Sequence, residues 1–133
     1  EGSTTTPVAL ARAYAVLAND GLDQRGERIV SADAARKVRG MLEGAVNGEL
    51  ATGRAAAVAG ARVGGKTGTS AEDECDNCAH AGRLFATFVG IAPIDQPRYV
   101  IYVGVGDPSK PGTGGTIAAP VFSRLAAQLL AGG

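Results

Sequence analysis

Val63-Gly64-Gly65-Lys66-Thr67-Gly68-Thr69-Ser70 admits two readings, and they lead to different folds. Gly60 through Thr67 fits the phosphate-loop pattern G-x-x-x-x-G-K-[ST]. Such a loop works where a buried strand ends and a helix begins, so that the helix's first amides meet the phosphates. The flanks argue against it. Arg54–Ala59 is Ala-rich and a poor strand, and after Thr67 come Gly68 and the acidic run Glu72-Asp73-Glu74. Carboxylates beside a triphosphate repel it. The other reading makes about Arg62–Thr69 a strand, with Lys66 and Gly68 on one face and Thr67 and Thr69 on the other. That strand offers one cation and two hydroxyl donors, groups suited to a carboxylate. Gly68 lets an extended peptide lie against the backbone. Both side-chain sets can serve one ligand only if the strand is twisted at the lip of a cleft.

On the N-terminal side the spacing predicts two helices. Thr6 caps the first and Pro7 opens it, while Leu10, Tyr14 and Leu17, with Ala11 and Ala18, form its apolar face. Asn19-Asp20-Gly21 stops it, with Gly21 suited to a left-handed cap. Leu22–Val30 reads as a loop or ribbon. Ser31 then caps a second helix whose Val38, Met41, Leu42, Ala45 and Val46 fit one buried face, and Asn47-Gly48 ends it. Arg36, Lys37 and Arg39 fall on its polar side, a solvated face. Glu49–Gly60 is a weakly patterned connection.

On the C-terminal side two more strands are predicted, Leu84–Ile91 and Arg98–Val105, joined as an antiparallel hairpin by the turn Pro93–Pro97. Asp107–Gly115 is a loop, and Asp95, Asp107 and Lys110 read as solvated turn residues. A last helix follows, with Pro120 in its first turn and Val121, Leu125 and Leu129 on one face. The order helix–helix–strand–strand–strand–helix gives an α+β fold, helices packed on an antiparallel sheet.

Composition narrows the function classes. With 13 Lys+Arg against 13 Asp+Glu the formal net charge is zero, which gives no electrostatic reason to expect a nucleic-acid or anionic-membrane partner. The 45% hydrophobic and 20% charged content suits a folded chain. No apolar run approaches the ~20 residues of a membrane helix, so any membrane attachment is expected outside this segment. A length of 133 residues suits one domain or a large part of one, and a start at Glu1 suggests a piece of something longer.

Several blocks of the chain carry a resemblance. Lys66-Thr67-Gly68 matches the K-T-G element of penicillin-binding serine acyl-transferases. Around it, Thr6-Pro7-Val8-Ala9-Leu10-Ala11-Arg12-Ala13-Tyr14-Ala15-Val16-Leu17-Ala18-Asn19-Asp20-Gly21 resembles the helix that precedes K-T-G in class B penicillin-binding proteins. Phe88-Val89-Gly90-Ile91-Ala92-Pro93, Pro97-Arg98-Tyr99 and Gly114-Gly115-Thr116-Ile117-Ala118-Ala119-Pro120-Val121-Phe122 continue the likeness in the same order. The last block looks most like the division-type transpeptidases of the family.

The resemblance implies a penicillin-binding/β-lactamase-like transpeptidase fold. Its sheet has five strands in the family, and this segment would supply a three-strand meander and the C-terminal helix. It also implies a D,D-transpeptidase that cross-links peptidoglycan, needs no cofactor or metal, and is acylated by β-lactams. Lys66 would then set the site's electrostatics, and Thr67 and Thr69 would hold the substrate carboxylate beside Gly68. The Thr69 backbone N–H would form half of the oxyanion hole. The expected partners are the peptidoglycan stem peptide, β-lactams and other division or cell-wall synthesis proteins. The expected location is the periplasmic face of the bacterial inner membrane.

The chain departs from the family pattern in one respect. Three residues before Lys37, Lys66 and Lys110 stand Ala34, Val63 and Asp107, so there is no S-x-x-K. Two residues after Ser3, Ser31, Ser70, Ser109 and Ser123 stand Thr5, Asp33, Glu72, Pro111 and Leu125, so there is no S-x-N. Residues 1–133 are therefore expected to be the C-terminal portion of a catalytic domain, unable to acylate alone. The alternative is a non-catalytic relative that kept the strand and lost the nucleophile. Cys75 and Cys78, with His80 nearby, are open to three readings: a loop disulfide, free thiols, or part of a metal site.

The two readings of the opening stretch separate in a titration. Magnesium-ATP should show no saturable binding to the chain. Micromolar affinity (about −8 kcal/mol) that disappears in Lys66→Ala would establish the phosphate loop instead.

Overall fold

A computed structural model describes residues 5–72, 83–108 and 111–132. Helix α1 (Pro7–Ala18) begins where the Thr6 side chain accepts the Ala9 N–H, and Pro7 fills the first helical position. Helix α2 (Ala32–Asn47) begins in the same way, with Ser31 accepting from Ala34. A short 3-10 turn, Arg54–Ala56, breaks the connection that follows. Strands β1 (Gly64–Glu72), β2 (Arg83–Ala92) and β3 (Tyr99–Gly106) form one antiparallel meander in the order β1-β2-β3. Helix α3 (Ala118–Ala131) closes the chain. The predicted elements are all present, within a few residues at their ends.

Register assigns the two sheet faces. Thr67 pairs with Phe88, and Phe88 with Val103; these share a face with Gly65, Thr69, Ala86 and Gly90. Helix α3 covers that face through Phe122, whose ring centroid lies 4.8 Å from that of Phe88. A side-chain carbon on Gly90 would meet the Phe122 ring at 2.7 Å, so the glycine makes the seat for that ring. The opposite face carries Lys66, Gly68, Thr87, Val89 and Ile91. Ile91 packs there with Leu42, Ile94, Val38, Tyr14 and Leu17, which brings α1 and α2 onto the sheet. Helix α2 places Leu42 in this cluster and Val46 in the α3 cluster.

Two predicted helix faces need correction. On α3, Leu125 and Leu129 are each 40% exposed, whereas Ala118, Ala119, Phe122 and Ala126 are fully buried. The helix approaches the sheet on its alanine row, where short side chains permit close contact and one Phe fills the remaining gap. On α2, Ala35, Leu42 and Val46 are buried, while Met41 lies a quarter-turn away and is 71% exposed. The solvated face assigned to α2 also fails at Arg39. Its guanidinium donates to Leu17 O (2.7 Å) and pairs with Asp20 (2.8 Å), capping the C-terminal carbonyls of α1.

The connection into β1 is fixed by a bidentate pair. Arg62 donates from Nε and Nη2 to the two Glu43 carboxylate oxygens at 2.7 and 2.8 Å. The hydrogen bond and the Arg62 charge hold the Glu43 carboxyl below its ordinary value; slight burial and Asp95 act the other way. Because the folded value is the lower one, the pair's contribution is complete above the unfolded carboxylate value. It is lost as pH falls through the folded value.

The corrected α3 face can be tested on the full-length catalytic domain by denaturant unfolding. Phe122→Ala should cost ~3–5 kcal/mol, as emptying a buried aromatic site does. Leu125→Ala should cost less than about 1 kcal/mol. Equal costs would return the packing face to the Val121–Leu125–Leu129 row.

Candidate active site strand

Lys66, Thr67, Gly68 and Thr69 all lie inside β1, with strand on both sides of them. This removes the phosphate-loop reading, because Lys66 and Thr67 do not open a helix. The direction of the strand's amides follows from one bond. The Asp107 N–H donates to Leu84 O (2.8 Å), so Leu84 aims its backbone groups at the β3 side. Antiparallel alternation then turns Phe85, Thr87 and Val89 toward β1, where they face Ser70, Gly68 and Lys66. The N–H and C=O groups of Thr67 and Thr69 therefore point away from β2, toward the outer edge of β1. Among the described residues no strand pairs on that edge.

The side chains converge on the same edge. Lys66 starts on the α1/α2 face but bends over the edge, its Nζ donating to Thr67 O at 3.0 Å and Thr67 Oγ1 at 3.2 Å. Among the described residues it makes no ion pair. Thr67 and Thr69 come from the α3 face. Thr67 Oγ1 lies 3.2 Å from Thr52 Oγ1, and Thr69 Oγ1 accepts the Gly114 N–H at 2.9 Å. One long flexible cation thus reaches the Thr67 hydroxyl from the opposite face, so groups from both faces of the strand meet at its edge.

Two glycines hold this geometry. Gly68 faces Thr87, and a side-chain carbon at Gly68 would collide with Thr87 Oγ1. On the other face a carbon at Gly114 would fall among Gly68 N, Gly68 O and Thr87 O. Gly114 therefore rests backbone to backbone on the Gly68–Thr87 pair. Its carbonyl accepts the Ala118 and Ala119 N–H groups at 3.0 and 2.8 Å, so the residue that touches β1 also starts α3.

Sequence reasoning named Lys66, Thr67, Gly68 and Thr69; the structure brings the Lys66 ammonium and the outward backbone groups of Thr67 and Thr69 to one edge, while the Gly68 backbone pairs with Thr87 in the sheet. Sequence reasoning missed Thr52 and assigned no role to Gly114. A lone Thr in an Ala- and Gly-rich connection carries no periodic signal. Cys75, Cys78, His80 and Lys110 lie outside the described residues. Asp95 stands 4.0 Å from Arg62, and Asp107 is an exposed turn residue with φ 47°.

Residues 1–127 match the profile of the penicillin binding protein transpeptidase domain. The chain belongs to that family. It is 32% identical to penicillin-binding protein PbpB of Mycolicibacterium smegmatis, an alignment covering 98% of this chain and 24% of that protein. It is 37% identical to the probable peptidoglycan D,D-transpeptidase PenA of Neisseria flavescens, covering 87% and 32% respectively. The solved transpeptidase domain of the FtsI4 D,D-transpeptidase from Legionella pneumophila superposes with a TM-score of 0.81 at 36% identity, covering 95% of this chain and 47% of that one. The chain thus spans about a quarter to a third of these curated relatives. Its α+β architecture is that of the family's transpeptidase domains.

The glycine contacts predict opposite signs for two substitutions. Gly114→Ala should destabilise by about 1–3 kcal/mol, since backbone cannot step aside. Gly44→Ala, in α2 with nothing within 4 Å of the added carbon, should stabilise by up to about 1 kcal/mol. Thermal unfolding of the two variants measures both, and a neutral Gly114→Ala would remove the clamp.

Proposed function

We propose that this segment forms the substrate-carboxylate half of a peptidoglycan D,D-transpeptidase active site. The observation that carries the reading is the β1 edge: one ammonium, two hydroxyls and an outward N–H lie along four consecutive residues of a chain from this family. An extended stem peptide or a β-lactam would lie along that edge. Its carboxylate would accept from the Thr67 and Thr69 hydroxyls in the field of Lys66. Its reacting carbonyl would turn toward the Thr69 N–H, which receives the negative charge that develops on oxygen when serine attacks. The serine is not supplied by these 133 residues, which contain no S-x-x-K.

Residues 1–133 would form one portion of that catalytic domain, and the whole protein would cross-link stem peptides through an acyl-serine intermediate. A division-type role, with other wall-synthesis proteins as partners, would fit the block Ala118-Ala119-Pro120-Val121-Phe122. Among the described residues no helix is long and apolar enough to cross a membrane. Attachment to the periplasmic face of the inner membrane would use an anchor elsewhere. Cys75 and Cys78 would pair as a loop disulfide in that oxidising compartment. The competing reading, a non-catalytic relative, predicts carboxylate binding without acylation.

In the full-length protein, Thr67→Val removes a charge-assisted donor while nearly preserving shape. Such bonds are worth ~1.5–3 kcal/mol, so acylation efficiency by a labelled penicillin should fall roughly ten- to a hundredfold. Lys66→Ala should cost at least as much. The isolated chain should form no covalent adduct. An adduct on one of its serines would overturn the assignment of the nucleophile to another segment, and undiminished acylation of Thr67→Val would remove the strand's role.

A further inference from the structure

We propose that Thr52 is a positioning residue for this site, one that aims the Thr67 hydroxyl proton at the bound carboxylate. The inference rests on the carboxylate-binding role given to Thr67. A hydroxyl has one proton to donate and two lone pairs to accept with. The Lys66 ammonium is a donor only, and its 3.2 Å bond to Thr67 Oγ1 occupies one of those lone pairs. Thr52 Oγ1 stands 3.2 Å from the same oxygen. When Thr52 donates, both lone pairs are filled and the Thr67 proton has one direction left, outward over the β1 edge.

Thr69 keeps its proton free in a simpler way. Its oxygen accepts the Gly114 N–H, which can only donate, so its proton also remains for the ligand.

The backbone around Thr52 is held from several directions, as the role requires. The next residue, Gly53, is buried and donates its N–H to Ala45 O of α2 at 3.0 Å. A side-chain carbon on Gly53 would meet Ala45 O and the Phe88 ring at 3.0 Å each. From the other side Gly115 presses on Thr52, and a carbon there would collide with Thr52 O. Helix α2, the core ring of Phe88 and the loop leading to α3 thus hold the Thr52 backbone, and its exposed side chain meets the Thr67 hydroxyl from there.

The test uses the full-length protein and four variants: Thr52→Val, Thr52→Ser, Thr67→Val and the Thr52→Val/Thr67→Val double. Acylation efficiency is measured with a labelled penicillin and with its methyl ester, which lacks the carboxylate charge. Thr52→Val should lower acylation by penicillin about two- to tenfold, the range of one neutral hydrogen bond. It should affect the ester little, and Thr52→Ser should restore the wild-type rate. The double variant should match Thr67→Val alone, because the two hydroxyls act through one proton. Wild-type behaviour of Thr52→Val beside an impaired Thr67→Val overturns the role of Thr52 and leaves the site intact. Additive losses, or equal losses on acid and ester, overturn it as well. An unimpaired Thr67→Val removes the carboxylate-binding reading itself, and with it this inference. Should Thr52→Val fold poorly, Thr52→Ala takes its place in the same comparisons.

Discussion

Gly114 sits on the hydrogen-bonded pair Gly68–Thr87 with no space for a side-chain carbon, and the geometry of the site follows from that contact. It brings the Gly114 N–H to the Thr69 hydroxyl while its carbonyl receives the first amides of α3. The helix start, the strand and the hydroxyl are thereby set relative to one another without a long side chain in between. Backbone contact suits this task, because a backbone held in both a helix and a sheet has few alternative positions to sample.

The sheet gives different duties to its two faces and its edge. One face is closed by α3, whose alanine row and single large ring fit against Phe88 and Gly90. The other carries α1 and α2 over Ile91, with Arg39 and the Arg62–Glu43 pair tying the helices to each other and to β1. Among the described residues β1 and β3 each have one edge that no strand pairs, and the β1 edge is the one that carries the Lys66, Thr67 and Thr69 groups. It gathers groups from both faces because Lys66 is long enough to bend over it and Thr67 lies next in line. In the proposed role, an extended peptide or a β-lactam would need a backbone edge to align with and a cation near its carboxylate.

Much of the fold was legible in local signals. Thr6 with Pro7, and Ser31, mark helix starts by side-chain chemistry that acts within three residues. The β-branched and aromatic residues of β2 and β3 mark strands in the same way. The helix faces were less legible. Periodicity ranks residues by size, and on α3 that favoured Leu125 and Leu129 over alanines that only the sheet could select. Arg39 illustrates the same limit, since the carbonyls it caps belong to a helix more than twenty residues away in sequence.

The amino-acid sequence by itself determined the element order, a strand at about Arg62–Thr69 that the structure has at Gly64–Glu72, and the Lys66-Thr67-Gly68-Thr69 stretch within it. These depend on short-range preference and on a motif in consecutive positions. Only the tertiary structure decided that Thr52 meets Thr67, that Gly114 lies on Gly68, and that Lys66 crosses the strand edge. Each of those contacts depends on where a loop or helix comes to rest after the core closes. Packing and backbone sterics select that position from the whole chain at once, and no local stretch of sequence records it.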